Sequence, residues 1–273
     1  MNKVIFPNFN LEFEISPIAI EFGNVQIYWY AIVIVFGIVI SLFLTYYAKN
    51  KYNIKYDDFL EIMIFVLVFG IIGARVFYVL FNLNYYLSEP LQMFNIRNGG
   101  LAIYGGIIVG TIVAYFICKK KKIKFLNLCD FVVPYLVLTQ GIGRLGNFIN
   151  MEAYGVETNS LFRMGILTDI GYKEVHPCFL YEMLGCFIIF TILKLCQKYQ
   201  KFSGEILCIY AILYGTIRFF IEGLRADSLM LYDFKISQII SVFFVVFGII
   251  IYIKNNFCRK RENKVDGKKD KVF

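Results

Sequence analysis

Histidine is almost absent from this 273-residue chain, with a single one at position 176, and none of the seven cysteines is spaced as a C-x-x-C pair. Without clustered His and Cys there is no ligand set for a structural zinc site, and a metal-dependent intramembrane protease is disfavoured. Charge is scarce as well: 18% of residues are Asp, Glu, Lys or Arg, against roughly 25% in soluble domains. A water-soluble fold of this size needs more polar surface than that. No element that reads nucleic acid accompanies the net charge of +8, which sits in short clusters between apolar stretches and in one tail. The N-terminal segment with Pro7, Glu12, Glu14 and Pro17 lacks the apolar run of a cleavable signal peptide, and reads as an arm against the membrane surface or the folded bundle. No direct or inverted repeat marks a transporter scaffold.

What is present is apolar: 59% hydrophobic and 18% aromatic residues, with a mean hydropathy of +0.63. A bilayer span takes ~20 mostly apolar residues. Seven stretches qualify, at about 25–48, 59–83, 101–118, 131–149, 178–195, 206–224 and 236–253. Asp57-Asp58, Asp130, Ser203-Gly204 and Asp233 stand before the second, fourth, sixth and seventh, where acids and small residues suit helix N-termini. The links after spans one, three and five, together with the tail, hold nineteen Lys and Arg; the opposite side holds six. The positive-inside rule then puts the C-terminus in the cytoplasm and the N-terminus outside. The sequence predicts an all-α membrane protein with seven transmembrane helices and one integral membrane domain over 1–255. An outward-facing arm over 150–175 separates helices four and five, and a basic cytoplasmic tail covers 256–273. The cysteines read as small buried hydrophobes.

Several residues do not belong in lipid. Arg75, Arg144 and Arg218 lie in or near the ends of spans, where each costs roughly 2.5–3.5 kcal/mol at a helix centre. Arginine keeps its proton, so each needs an acid, a carbonyl cluster, water or an anionic ligand. In the sixth span Tyr214, Arg218, Glu222 and Arg225 recur at helical spacing and form one stripe. An internal Arg218–Glu222 pair that locks helices together and a phosphate-binding stripe both fit this pattern, with Arg225 as an unbalanced cation on it. At the end of the fourth span Arg144, Asn147 and Met151 share a face, with Glu152 at its margin. Such polar density fits either a wet cavity or a hydrogen-bonded helix terminus. Gly99, Gly100, Gly105, Gly106 and Gly110 permit close helix packing, or expose N–H groups to an anion. The fifth span carries a lone acid, Glu182, and opens with His176-Pro177, a pattern typical of a helix cap; Trp29-Tyr30 suits an interfacial anchor.

The run Gly143 to Gly155 matches every specified position of G-R-x-G-N-F-x-N-x-E-x-x-G, and with it the chain resembles the prolipoprotein diacylglyceryl transferase family. Gly73-Ala74-Arg75, His176-Pro177 with Leu180-Tyr181-Glu182, and Tyr214-Gly215 with Arg218-Phe219, Glu222, Arg225 and Asp227 resemble further family segments, as do Trp29-Tyr30 and Asp130. The resemblance runs in chain order over nearly the whole sequence. It implies transfer of the diacylglyceryl group of phosphatidylglycerol to the lipobox cysteine of a preprolipoprotein, with glycerol phosphate released. It further implies a bacterial cytoplasmic membrane location, a site toward the outer leaflet, no cofactor or metal, and work as a monomer whose partners are phosphatidylglycerol, signal peptides and the bilayer. The implied catalytic residues are Arg144, Arg218, Tyr104, Glu152 and His176. Arg144, Asn147, Tyr30, Gly155, Gly105, Gly106 and Arg225 are implied to bind lipid, with Glu222, Arg75, Asp130 and Tyr214 in support.

Two positions depart from the family pattern: Tyr104 stands where His is frequent, and Phe179 where Gln is usual. A phenol ionises near 10, so neutral Tyr104 is a poor proton acceptor. Glu152, His176 and the lipid phosphate remain as acceptors. Two other classes are open at this level, a transporter or channel using the buried Arg and Glu as a path, and an assembly protein whose polar groups only join helices.

Overall fold

In the computed structural model, residues 2–269 are described, except 24, 49–51, 97–98 and 169–170. Lys49, Lys51, Arg97 and Lys271 of the charge count lie outside the described residues. Among the described residues seven helices are long and apolar enough to cross a membrane: α1 (Trp29–Ala48), α2 (Tyr56–Phe81), α4 (Ile103–Lys120), α5 (Phe125–Asn150), α6 (Cys178–Lys198), α7 (Glu205–Leu224) and α8 (Ile236–Lys269, apolar as far as Phe257). A short helix, α3 (Leu83–Ser88), follows α2. The chain divides into two compact units, Met1–Thr45 with Cys129–Phe273, and Tyr46–Leu128.

The predicted spans are all present, with shifted ends. The apolar pattern predicts a helix from residue 25, but Val25–Tyr28 is strand β4, and it pairs antiparallel with β3 (Ile18–Phe22). An apolar run alone does not separate a strand from the helix that follows it. The N-terminal segment is stranded too. Strands β1 (Asn2–Phe6) and β2 (Leu11–Ile15) join β5 (Met164–Thr168) and β6 (Gly171–Val175) of the 150–175 arm in one antiparallel sheet of order β2-β1-β5-β6. Val4, Met164, Ile166, Val175 and Phe179 form a buried cluster beneath it, against Phe148 of α5. This placement accounts for Phe at position 179: the site is apolar core, and its ring lies 5.5 Å from that of Phe148.

In the same unit α1 meets α5 along its small residues. Gly37, Ser41 and Thr45 are the buried positions of α1. Ser41 Oγ donates to Tyr135 O at 3.0 Å and lies 2.7 Å from Thr139 Oγ1. Small residues four apart allow the backbones to approach where lipid supplies no hydrophobic drive between helices. A second cluster, Val133, Val137, Cys186, Ile189, Leu193 and Ile206, joins α5, α6 and α7.

Asp130 has a different role from the one its position suggests. It lies inside α5, not ahead of it, and caps α7. Its carboxylate accepts from Gly204 N at 2.5 Å, Leu207 N at 3.0 Å and Gln200 Nε2 at 2.5 Å, and it is fully buried. The N-cap residue Gly204 has no side chain to do this, and helix N-termini leave N–H groups unpaired. Pro134 lies inside α5 and has no N–H for the carbonyl of residue 130. Gln197 Nε2 of α6 donates to that carbonyl instead, at 2.8 Å. Replacing Asp130 by Ala is expected to destabilise the protein by about 3 kcal/mol, since bonds to a buried charged acceptor are among the stronger ones. Thermal unfolding in detergent checks this, and Asp130→Asn should recover about half.

The second unit is built on α2 and α4. A Cβ on Gly73 would lie 2.8 Å from Gly105 O, and one on Gly106 would lie 3.2 Å from Gly70 O, so both helices need glycine at their crossing. Ala102 N donates to Ala74 O at 2.9 Å beside the crossing, and at the other end Lys121 pairs with Asp58 (2.6 Å) and Glu61 (2.7 Å). Arg75 meets carbonyls, not an acid. Its guanidinium donates to the oxygens of Gln92, Met93, Asn95, Gly99 and Gly100 at 2.6–3.0 Å, using all five N–H groups, and lies 5.3 Å from the Tyr86 ring centre. This buried arginine therefore holds residues 92–95 and 99–100 onto α2.

Candidate active site

Three spans of the first unit bring charge together at one place. Arg144 comes from the last turns of α5, Glu182 from the first turn and a half of α6, and Tyr214, Arg218 and Glu222 from one stripe of α7. Glu182 is the hub. One carboxylate oxygen receives Arg144 Nη2 and the Tyr214 hydroxyl (2.9 Å); the other receives Arg218 Nη1 at 2.9 Å. Arg144 Nη1 also donates to Asn147 Oδ1 at 3.1 Å, as expected for residues three apart on a helix. Glu222 Oε2 lies 2.6 Å from Arg218 Nη2 without the alignment of a hydrogen bond, so that contact is Coulombic. Behind the hub the Tyr210 and Tyr214 rings stack at 5.4 Å, and Tyr210 donates to Gln140 Oε1 at 3.1 Å.

The distribution of exposure decides what this cluster presents. The Glu182 and Glu222 side chains are 2% exposed, whereas those of Arg144 and Arg218 keep 20% and 16%. Formal charge balances, and what stays accessible in the cluster belongs to the arginine side chains. The carboxylates occupy only part of each guanidinium, and the N–H groups left over are of the kind that bind phosphate oxygens.

Tyr30 packs its ring on Gly146, where a Cβ would lie 2.8 Å from Tyr30 Cε2, so this signature glycine admits the tyrosine against α5. Gly155 is equally enclosed: its N–H donates to His176 O at 2.8 Å, and a Cβ would lie 2.7 Å from Cys178 Sγ and 2.8 Å from Leu224 O. His176 Nδ1 is 3.3 Å from the Tyr181 hydroxyl, and its imidazole does not cap α6. Glu152 is exposed and accepts from Asn150 Nδ2 at 3.2 Å. Helical spacing puts Met151 on the face of Arg144 and Asn147, but α5 ends at Asn150 and Met151 turns left-handed (φ 54°). Tyr104, Gly105 and Gly106 open α4 of the other unit, where the N–H groups of both glycines are directed to Ala102 O.

Arg225 corrects a second expectation. Its charge is not unbalanced: it forms a two-pronged pair with Asp227, Nε to Oδ1 at 2.9 Å and Nη2 to Oδ2 at 2.8 Å. Burial pushes the Asp227 carboxyl up, but the Arg225 hydrogen bond and charge outweigh this and hold it below the ordinary carboxylate range.

Two residues beyond the sequence candidates shape the site. Glu182 stands out in the sequence as the lone acid of its span and as part of a family-like segment, but neither signal gives it a role in the site. Lys235 gives no signal there. Its ammonium donates to the carbonyls of Glu222 (2.8 Å), Gly223 (3.2 Å) and Arg225 (2.8 Å), the C-terminal end of α7. A cation there satisfies unpaired carbonyls and complements the helix dipole. Lys235→Met is expected to destabilise by about 2 kcal/mol and to reduce activity several-fold through Glu222 and Arg225. Lys235→Arg should restore most of both, read by unfolding and by turnover.

A family model described as prolipoprotein diacylglyceryl transferase matches residues 17–254. A Finegoldia magna protein named phosphatidylglycerol–prolipoprotein diacylglyceryl transferase is 44% identical over 238 residues, which is 87% of this chain and 94% of its own. Proteins of the same name from Clostridium novyi and Clostridioides difficile are 40% and 42% identical, over 90% and 91% of this chain and 98% of each of theirs. With the signature arginine, asparagine and glycines built into one site, and the match extending through all seven spans, the chain belongs to the prolipoprotein diacylglyceryl transferase family.

Proposed function

We propose that this protein transfers the diacylglyceryl group of phosphatidylglycerol to the cysteine thiol of a prolipoprotein, the first step of lipoprotein maturation. The observation that carries the reading is the pair of partly accessible arginines, Arg144 and Arg218, held together by the buried Glu182. In the reaction the thiol sulfur forms a bond to the glyceryl carbon, and that carbon's bond to the phosphate oxygen breaks. The phosphate diester leaves as glycerol phosphate, and the thiol proton is one that a phosphate monoester, ionising a second time near 6, can carry.

The leaving group is weakly basic and gains charge as it departs. Fixed cations aimed at that charge are therefore worth more than a proton donor, and in a water-poor site they supply several kcal/mol. Arg144 and Arg218 hold the phosphate oxygens, and Asn147 and Tyr30 orient the headgroup beside them. Glu222, fixed by Lys235 through its carbonyl, restrains Arg218. The same pair of cations favours the thiolate of the incoming cysteine. Proximity does the rest, since lipid and peptide must meet in line at one carbon. The charge bias of the loops supports a site at the outer leaflet of a bacterial cytoplasmic membrane.

The test is mass spectrometry of a lipobox peptide incubated with phosphatidylglycerol and the purified protein. A gain of one diacylglyceryl mass, lost in Arg218→Ala, supports the reading. An unmodified peptide with a folded protein overturns it.

A further inference from the structure

The hairpin β3–β4 that precedes α1 has two unlike faces. Its register pairs Ile20 with Ile27 and Phe22 with Val25, and side chains alternate across a strand, so these four apolar residues share one face. All four are exposed, Phe22 by 72%. On the other face Glu21 pairs with Gln26, and a short polar ladder runs from Tyr28 OH to Gln26 Oε1 (3.2 Å) and from Gln26 Nε2 to Glu21 Oε1 (3.0 Å). The polar side is internally bonded; the apolar side is bare. β4 continues without a break into α1, and Trp29 N donates to Pro17 O at 3.0 Å, which ties the base of the hairpin to the first residue of the span.

We infer that this hairpin is an interfacial anchor, its Ile20–Phe22–Val25–Ile27 face sunk into the acyl boundary of the bilayer at the N-terminal end of α1 and its Glu21–Gln26 face turned to the headgroups. Lipid is the occupant because the hairpin runs directly into a span whose apolar residues are widely exposed: Val35, Phe36, Val39 and Phe43 of α1 are each more than half exposed. Tyr28 and Trp29 at the junction are amphipathic aromatics of the kind that settle at the headgroup level. A two-stranded hairpin is marginal in water, and burial of one face in lipid gives it the third layer it lacks. Anchoring also fixes the height of Tyr30, whose ring lies on Gly146 of the signature run, relative to the membrane surface.

The chain has one tryptophan, which makes the test direct. In a Trp29→Phe background a single reporter is introduced as Phe22→Trp or Ile27→Trp on the apolar face, or as Gln26→Trp on the polar face. Each protein is reconstituted in phosphatidylcholine–phosphatidylglycerol vesicles with or without phosphatidylcholine brominated at carbons 6 and 7 of the acyl chain. Position 22 and position 27 reporters are expected to lose at least half their emission to the bromines and to be quenched by iodide at less than a fifth of the rate of free tryptophan. The position 26 reporter should show the reverse ranking. Iodide access at 22 and 27 without bromine quenching places the hairpin in water and overturns the anchor. Shielding from both quenchers means that protein covers the face, which overturns it equally. None of these readings depends on transferase activity.

Discussion

Glu182→Gln is expected to reduce diacylglyceryl transfer to about 1% of the parent or less, and to destabilise the fold by about 3–5 kcal/mol, the usual result of removing one partner from a buried charge set. The geometry makes the isosteric change severe. Glu182 accepts on both oxygens, from Arg144 and Tyr214 on one and from Arg218 on the other. A carboxamide has one oxygen and one NH2, so whichever way it turns, an N–H faces a guanidinium N–H. One arginine loses its backing carboxylate and swings from the position in which it meets phosphate. Glu182→Asp keeps the charge but is one methylene shorter. It should hold one arginine and not both, giving an intermediate loss. Peptide mass spectrometry gives the activity and unfolding in detergent gives the stability. Retention of more than a third of activity in Glu182→Gln would show that the arginines hold their places without the hub.

Glu182 also shows what can be read from sequence and what cannot. Helical spacing relates residues on the same helix, so Tyr214, Arg218 and Glu222 are recognisable as one stripe. The acid that joins Arg218 to Arg144 sits on a third helix, and no periodicity links it to either. Asp130 misleads for the same reason: an acid near an apolar run suggests a cap for the next helix, whereas it caps one that starts far along the chain. The seven spans are legible because a bilayer demands ~20 apolar residues in a row. The sheet is not, because β1 pairs with β5, from the far side of four spans, and strand pairing leaves no local trace. Arg225 looks unbalanced in the sequence although Asp227 is only two residues away. Whether two nearby charges meet depends on the chain's path after α7, where Arg225 is extended and bridged to Gly155.

Arg218→Lys separates a site that binds an anion from polar groups that only join helices. If the network served packing alone, a lysine at 218 could keep its charge between Glu182 and Glu222, and activity would stay near normal. In the structure the Arg218 guanidinium is divided between two acids, with Nη1 on Glu182 and Nη2 beside Glu222, and its side chain keeps partial exposure. An ammonium is a single point of charge and cannot face two carboxylates and a phosphate with the same rigidity. Transfer is expected to fall about 10²-fold, the size found when one oriented donor to a developing oxyanion is removed. The loss should lie in kcat more than in KM for the lipid, because the leaving phosphate gains charge as the carbon–oxygen bond breaks. The unfolding midpoint should move little, since the buried carboxylates keep a cation between them. Initial rates over a range of phosphatidylglycerol concentration, with unfolding of the same preparations, provide the test. A variant within threefold of the parent in kcat would remove Arg218 from the chemistry and leave it the role of joining α6 to α7.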